Sequence, residues 1–166
     1  MSDYHLAQVN IGRVVAPVDS PELSGFVSRL ADINALADSA PGFVWRLQTE
    51  DGDATAFRPY DDDRILVNMS VWESLETLGQ FVYRSPHAEV MRRRREWFEK
   101  LTEAFLALWW VPAGHRPTIE EAKERLAHLR EHGATPYAFT FRQPFAAPSA
   151  PSAQMQQPLA DECPAG

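Results

Sequence analysis

Apolar side chains recur at every second position over residues 64–72, with Ile65, Val67, Met69 and Val71 on one side of the chain and Leu66, Asn68, Ser70 and Trp72 on the other. That period predicts a strand, because successive side chains of an extended backbone point to opposite faces. One face is plain core. The other mixes an amide, a hydroxyl and an indole, which suits either a solvent face or the wall of a pocket that orients a ligand with a few polar groups. Trp72, too large and apolar to leave in water, favours the pocket. Residues 4–14 repeat the pattern, with Ala7, Val9 and Ile11 opposite Leu6, Gln8 and Asn10. Residues 43–48 give a shorter strand with Phe43, Trp45 and Leu47 on one side and Val44, Arg46 and Gln48 on the other.

Between these strands the period changes to that of a helix. Ser20, Pro21 and Glu22 supply a cap, a first-turn proline and an acidic first turn, and Leu23, Phe26, Val27, Leu30, Ile33 and Ala37 follow at helical spacing up to the Pro41-Gly42 stop. Leu75, Leu78 and Val82 mark a second helix. Ser85-Pro86 restarts a third, whose buried side would be Val90, Met91, Trp97 and Phe98. Residues 49–63 are polar and acidic and read as a loop. The apolar run at 104–111 ends at Pro112 and reads as a buried strand. Thr118 and Glu121 form a capping box for a helix with Ile119, Ala122, Leu126 and Leu129 on its apolar stripe and Gly133 at its end. Tyr137, Phe139 and Phe141 alternate in a final predicted strand over 137–142.

The first part of this order is a split βαβ arrangement, so the expected fold is α+β and ferredoxin-like, an antiparallel sheet with helices on one face. A second copy of the sheet is expected to cover the other face, which makes the protein a homodimer. One domain over residues 1–142 is followed at 143–166 by a Pro- and Ala-rich segment with the composition of a disordered tail.

Bulk composition narrows the function. A formal charge of -7 lacks the basic excess that binding to nucleic acid needs. No apolar stretch is long enough to cross a membrane and no leader pattern opens the chain, so a soluble cytoplasmic protein is expected. With Cys163 as the only cysteine, neither an intrachain disulfide nor a cysteine metal cage can form.

Three groups of residues could carry chemistry. Asn10 and Trp72 lie on the mixed faces of neighbouring strands, and His87 begins the helix after Pro86; an imidazole there could move a proton or ligate haem iron. Gln8, Asn68 and Ser70 share the same mixed faces and would help to bind a substrate. Arg46 could hold an oxyanion, if the second strand is phased to point it inward. The run 109–117, with Trp109, Trp110, His115 and Arg116 around a Pro- and Gly-bounded turn, could line a pocket mouth but has the look of a structural turn. Two further signals are discounted. The arginines at 92–95 are flanked by glutamates and point all around a helix. His128 to His132 matches an H-x-x-E-H zinc pattern but lies in the last turn of its helix, so no metal is expected.

Pro41-Gly42-Phe43-x-Trp45 and Val71-Trp72-Glu73-Ser74, in this element order, resemble the dimeric α+β barrel superfamily of antibiotic-biosynthesis monooxygenases and haem-degrading monooxygenases. More closely, PGFVWRL, SVWESLETLGQFVYRSPH, RRREWF and LWWVPAGHRPTIEEAKERL resemble a bacterial family within it defined only as a domain of unknown function. The resemblance implies a dimer with a wide, mixed pocket in each subunit. Haem-degrading relatives use an Asn, a Trp and a His at the places of Asn10, Trp72 and His87, although here Pro86 and a different spacing precede the His. Cofactor-independent monooxygenases of the same layout use Asn and Trp to hold an aromatic substrate. The reading that results is a tailoring enzyme of natural-product metabolism acting on an aromatic or polycyclic substrate without a cofactor. Its alternatives are a haem-binding protein and a ligand-binding or stress-response module without catalysis.

Overall fold

A computed structural model describes residues 3–48, 60, 62–85 and 87–148, with His87, Val90 and Met91 described in their backbone alone. Four strands, β1 (Tyr4–Arg13), β2 (Phe43–Arg46), β3 (Ile65–Trp72) and β4 (Leu106–Pro112), form one antiparallel sheet in the order β2-β3-β1-β4. This is the split βαβ order predicted from the pattern. Its register sets Asn10 opposite Asn68, Gln8 opposite Ser70 and Leu6 opposite Trp72. The polar residues of β1 and β3 therefore meet as two adjacent cross-strand pairs.

Helices α1 (Ser24–Asp38) and α2 (Leu75–Arg84) lie on the mixed face. Ala37, Leu78, Phe81 and Val82 pack there with Leu6, Trp72 and Leu108. A 3-10 turn at Pro21–Leu23 leads into α1, and Val27, expected on its buried stripe, is 40% exposed. Ser74 caps α2 by accepting a hydrogen bond from the Thr77 N–H, while the Thr77 hydroxyl oxygen accepts one from the Ser74 N–H. Gly42 sits at φ 82° beside this cap, and a Cβ on it would come 2.4 Å from the Thr77 side chain. The PG stop before β2 is thus a close approach that only glycine allows.

While α1 and α2 share one face, helix α4 (Ile119–His132) packs on the other. Its Ala122, Leu126 and Leu129 pack against Ala7, Val9, Met69 and Trp109. The side that was expected to await a second sheet is covered along β1 and β4 by the chain itself.

Two local expectations are corrected. The third helix, α3, spans only His87–Arg92; a 3-10 turn follows, and Trp97 and Phe98 are buried from the segment after it, against Phe26 and Val14. No strand forms over 137–142: Phe139 exchanges two backbone hydrogen bonds of 2.8 Å with Leu108 as an isolated bridge, and Tyr137 turns outward. Beyond Arg142, Phe145 packs on Phe139 and its carbonyl accepts the Trp110 indole N–H at 2.8 Å. The rest of the expected tail, 149–166, and most of the loop at 49–63 lie outside the described residues.

The arginine run is structural. Arg93 pairs with Glu96 and stacks on Trp97, and Arg94 lies over Phe98 and Phe105.

Candidate functional site

Buried polar side chains in the middle of a sheet are costly unless they bond one another. On the mixed face they do. Gln8 Nε2 donates to Asn68 Oδ1 at 2.7 Å and to Ser70 Oγ at 2.8 Å. Asn10 Nδ2 donates to Gln8 Oε1 at 3.0 Å and to Asn68 Oδ1 at 3.2 Å. Trp72 Nε1 donates to Ser70 Oγ at 2.8 Å. Five side chains from two strands thus form one network, at the floor of a cavity roofed by Ile33, Asn34 and Ala37 of α1 and Leu78, Phe81 and Val82 of α2.

Ser70 Oγ accepts two bonds, so its own hydrogen remains to be donated. The Asn68 Nδ2 amide has no partner among the described residues. Both are donors placed at the cavity. Arg46 stands at its lip with 11% of its side chain exposed, where Nε and Nη2 donate to Asp38 Oδ1 at 2.7 Å and Oδ2 at 3.3 Å. The phase of β2, left open by its alternation, puts Arg46 level with Ser70 on the cavity side and Trp45 on the other. Among the described cavity-lining side chains, Arg46 alone is ionisable.

The structure therefore brings together Gln8, Asn10, Arg46, Asn68, Ser70 and Trp72. It does not bring Trp109 to them. Trp109 points to the opposite face, where its Nε1 donates to Glu121 Oε2 at 2.8 Å. Glu121 also pairs with His115 at 2.7 Å, so only the Thr118 half of the predicted capping box forms and the 109–117 turn is a structural joint. The His87 side chain lies outside the described residues. His128 Nε2 pairs with Thr135 Oγ1 at 2.9 Å.

Asn34 and Asp38 of α1 were missed. Asn34 stands at i+4 from Leu30 and i−3 from Ala37, a polar residue in a stripe position, which was the available signal.

The cavity is also narrower than the wide pocket expected. Its volume is about 40 Å³, room for roughly three waters and well below the ~150 Å³ that accommodates benzene. Trp72 is 1% exposed, boxed by Phe43 at 5.5 Å and Phe81 at 5.1 Å between ring centres. A cavity of this volume is smaller than a haem or a single aromatic ring.

A family model described as "Domain of unknown function (DUF3291)" matches residues 5–155. The chain belongs to the DUF3291 family. The match supports the resemblance read from its sequence stretches and reaches past residue 142. No curated protein matches this DUF3291 chain. Among solved structures, SnoaB, a cofactor-independent oxygenase from Streptomyces nogalater, is 19% identical with a TM-score of 0.45, covering 69% of this chain and 97% of that one. A candidate antibiotic biosynthesis monooxygenase from Nitrosomonas europaea is 9% identical at a TM-score of 0.44, covering 71% and 97%. A protein of unknown function from the same organism is 10% identical at 0.43, covering 70% and 95%. The ferredoxin-like fold of the DUF3291 chain rests on its own strand order and register.

Proposed function

We propose that the cavity binds an aromatic small molecule bearing an ionisable hydroxyl or enolisable carbonyl, and that the protein is a cofactor-independent monooxygenase-like tailoring enzyme. The observation that carries this reading is the buried network of Gln8, Asn10, Asn68, Ser70 and Trp72, which leaves hydrogen-bond donors at a cavity lipped by a guanidinium. Donors converging on one point stabilise an oxyanion. A substrate anion held there gives electrons to dioxygen: a ring methylene becomes a carbonyl, one oxygen atom stays on carbon and the other leaves as water, so no outside reductant is required.

In this reading Ser70, Asn68 and Arg46 hold the anionic oxygen. Asn10 and Gln8 aim the Asn68 and Ser70 groups, and Trp72 forms the apolar end. His87 takes the proton. The expected test is oxygen uptake by the full chain with a phenolic anthrone and no added cofactor, with Asn68→Ala lowering kcat/KM by roughly 100-fold, the size of effect for one oxyanion donor, and Asn10→Ala, which removes the group that aims it, lowering kcat/KM by less. Turnover unchanged in Asn10→Ala and His87→Ala would remove those residues from the mechanism.

The absence of an ionisable group other than Arg46 from the described cavity lining favours a second reading, a binding module that holds the same ligand without converting it. Retention of the probe in air with no product distinguishes the two. The homodimer remains part of the proposal: Trp45 and Leu47 are half-buried on the outer face at β2, at the far edge of the sheet from β4, and a dimer is expected on a sizing column at micromolar concentration.

A further inference from the structure

Asp38 is the last residue of α1, and the final turn of that helix contains no basic residue. A carboxylate is misplaced at the negative end of a helix dipole, so its position calls for another reason. That reason is across the gap to β2, where it grips the Arg46 guanidinium with both oxygens. The two ends of the pair differ in their surroundings: Arg46 is 11% exposed and lines the cavity, while Asp38 is 45% exposed and stays outside it. One turn earlier, Asn34 lines the same cavity, and its side chain has no hydrogen-bond partner among the described residues.

We propose that Asp38 is an internal competitor for Arg46, the residue that makes the site selective for anionic ligands, and that only an anion displaces it. The inference rests on the binding role assigned to the cavity above. A phenolate, enolate or carboxylate entering between α1 and the sheet replaces the Asp38 carboxylate on Arg46, in the geometry that a guanidinium offers to any planar pair of oxygens. Releasing Asp38 unties the C-terminal end of α1 from β2, which opens the roof over a cavity of about 40 Å³. The Asn34 amide, facing the incoming molecule from the roof, supplies a second hydrogen bond to it. A neutral ligand of the same size gains nothing from Arg46 that Asp38 does not already give, so the pair stays closed against it.

The test uses two matched probes, a hydroxynaphthoquinone that is anionic at neutral pH and its uncharged methyl analogue, titrated into the full chain by tryptophan fluorescence and calorimetry. Wild type is expected to prefer the anion. Asp38→Asn is expected to tighten the anion by about tenfold, the worth of one charge-assisted hydrogen-bond exchange, and to tighten the neutral probe much less, because it gains the loosened roof but no charge pairing with Arg46. Arg46→Leu removes the preference, and Asn34→Leu weakens the anion severalfold in both backgrounds. Melting temperatures of each variant establish that it is folded. If Asp38→Asn shifts both probes alike or neither, while Ser70→Ala still weakens them, the exchange is wrong and the cavity reading stands. If Ser70→Ala and Asn68→Leu leave both probes unaffected, or if neither probe binds wild type or Asp38→Asn, the cavity reading fails and the exchange with it.

Discussion

Ser70 carries more of the site than its size suggests. Its oxygen is the acceptor for both the Trp72 indole and the Gln8 amide, and both donors belong to residues with at most 3% exposure. Removing the hydroxyl leaves two buried N–H groups without that partner, and an unsatisfied buried group costs about 1–3 kcal/mol. Ser70→Ala is therefore expected to lose about 2–4 kcal/mol, read from the urea midpoint at unchanged slope. A loss under 1 kcal/mol would mean that water replaces the hydroxyl and that the network is looser than its distances imply. Trp72 illustrates a different point: its single donor is already spent on Ser70 and its ring is enclosed, so it shapes the apolar end of the cavity and takes no hydrogen bond to a ligand in the closed form.

At the level of elements, the junction of α1, β2 and α2 is set by one residue. Gly42 holds φ 82°, its carbonyl accepts the Glu73 N–H at 2.7 Å, and Thr77 of the α2 cap occupies the space where a Cβ would lie. Gly42→Ala is expected to cost at least about 2 kcal/mol from left-handed backbone strain and the clash together, visible as a lower melting temperature; Thr77→Ser leaves the Cβ and hydroxyl contacts at 2.4 Å and should recover little of it. The PG stop, the alternation of β1 and β3 and the Thr118 cap of α4 were all legible in the sequence, because each depends on neighbours a few residues apart. So were Asn10, Asn68, Ser70, Gln8 and Trp72 as one set, since strand pairing turns two alternating rows into one surface. The segments around Tyr137 and Trp97 were not legible. Aromatic alternation at 137–141 looks like a strand whether or not backbone partners exist, and among the described residues this segment makes two isolated bridges, Phe139 with Leu108 and Ala138 with Thr135. Trp109 alternates as Asn10 does, and which face faces the cavity depends on where α4 packs, a long-range choice that no local pattern records. The narrowness of the cavity is likewise a matter of how α1 and α2 seat on the sheet.

Across the whole molecule, the end of the sheet away from Trp72 is closed by three segments distant in sequence. The Val14 and Val15 N–H groups donate to the Arg64 and Trp97 carbonyls, and Glu99 N–H donates to the Arg13 carbonyl at 2.8 Å. The side chains repeat the same junction: Arg13 Nε donates to Asp62 Oδ2 at 2.8 Å and its Nη1 donates to Glu99. This clamp seals the cluster of Val14, Leu23, Phe26, Leu66, Trp97 and Phe98 under α1. The Arg13 hydrogen bond, helped by the Arg64 N–H, holds the Asp62 carboxyl below its usual value. A carboxyl whose folded pKa is depressed binds protons less readily than in the unfolded chain, so it adds stability above the unfolded value, near 3.8, and loses it as the pH falls through the lower folded value. Asp62 is solvent-facing, and its contribution is screened by salt. Asp62→Asn is expected to be less stable than wild type at pH 7, with a gap that is constant down to the carboxylate range, closes below it, and shrinks at high salt. Urea midpoints of both proteins over that range measure the gap directly. A gap that persists at the acid end, after the carboxylate of wild type has been protonated, would assign the effect to the shape of the Asp62 turn rather than to its charge.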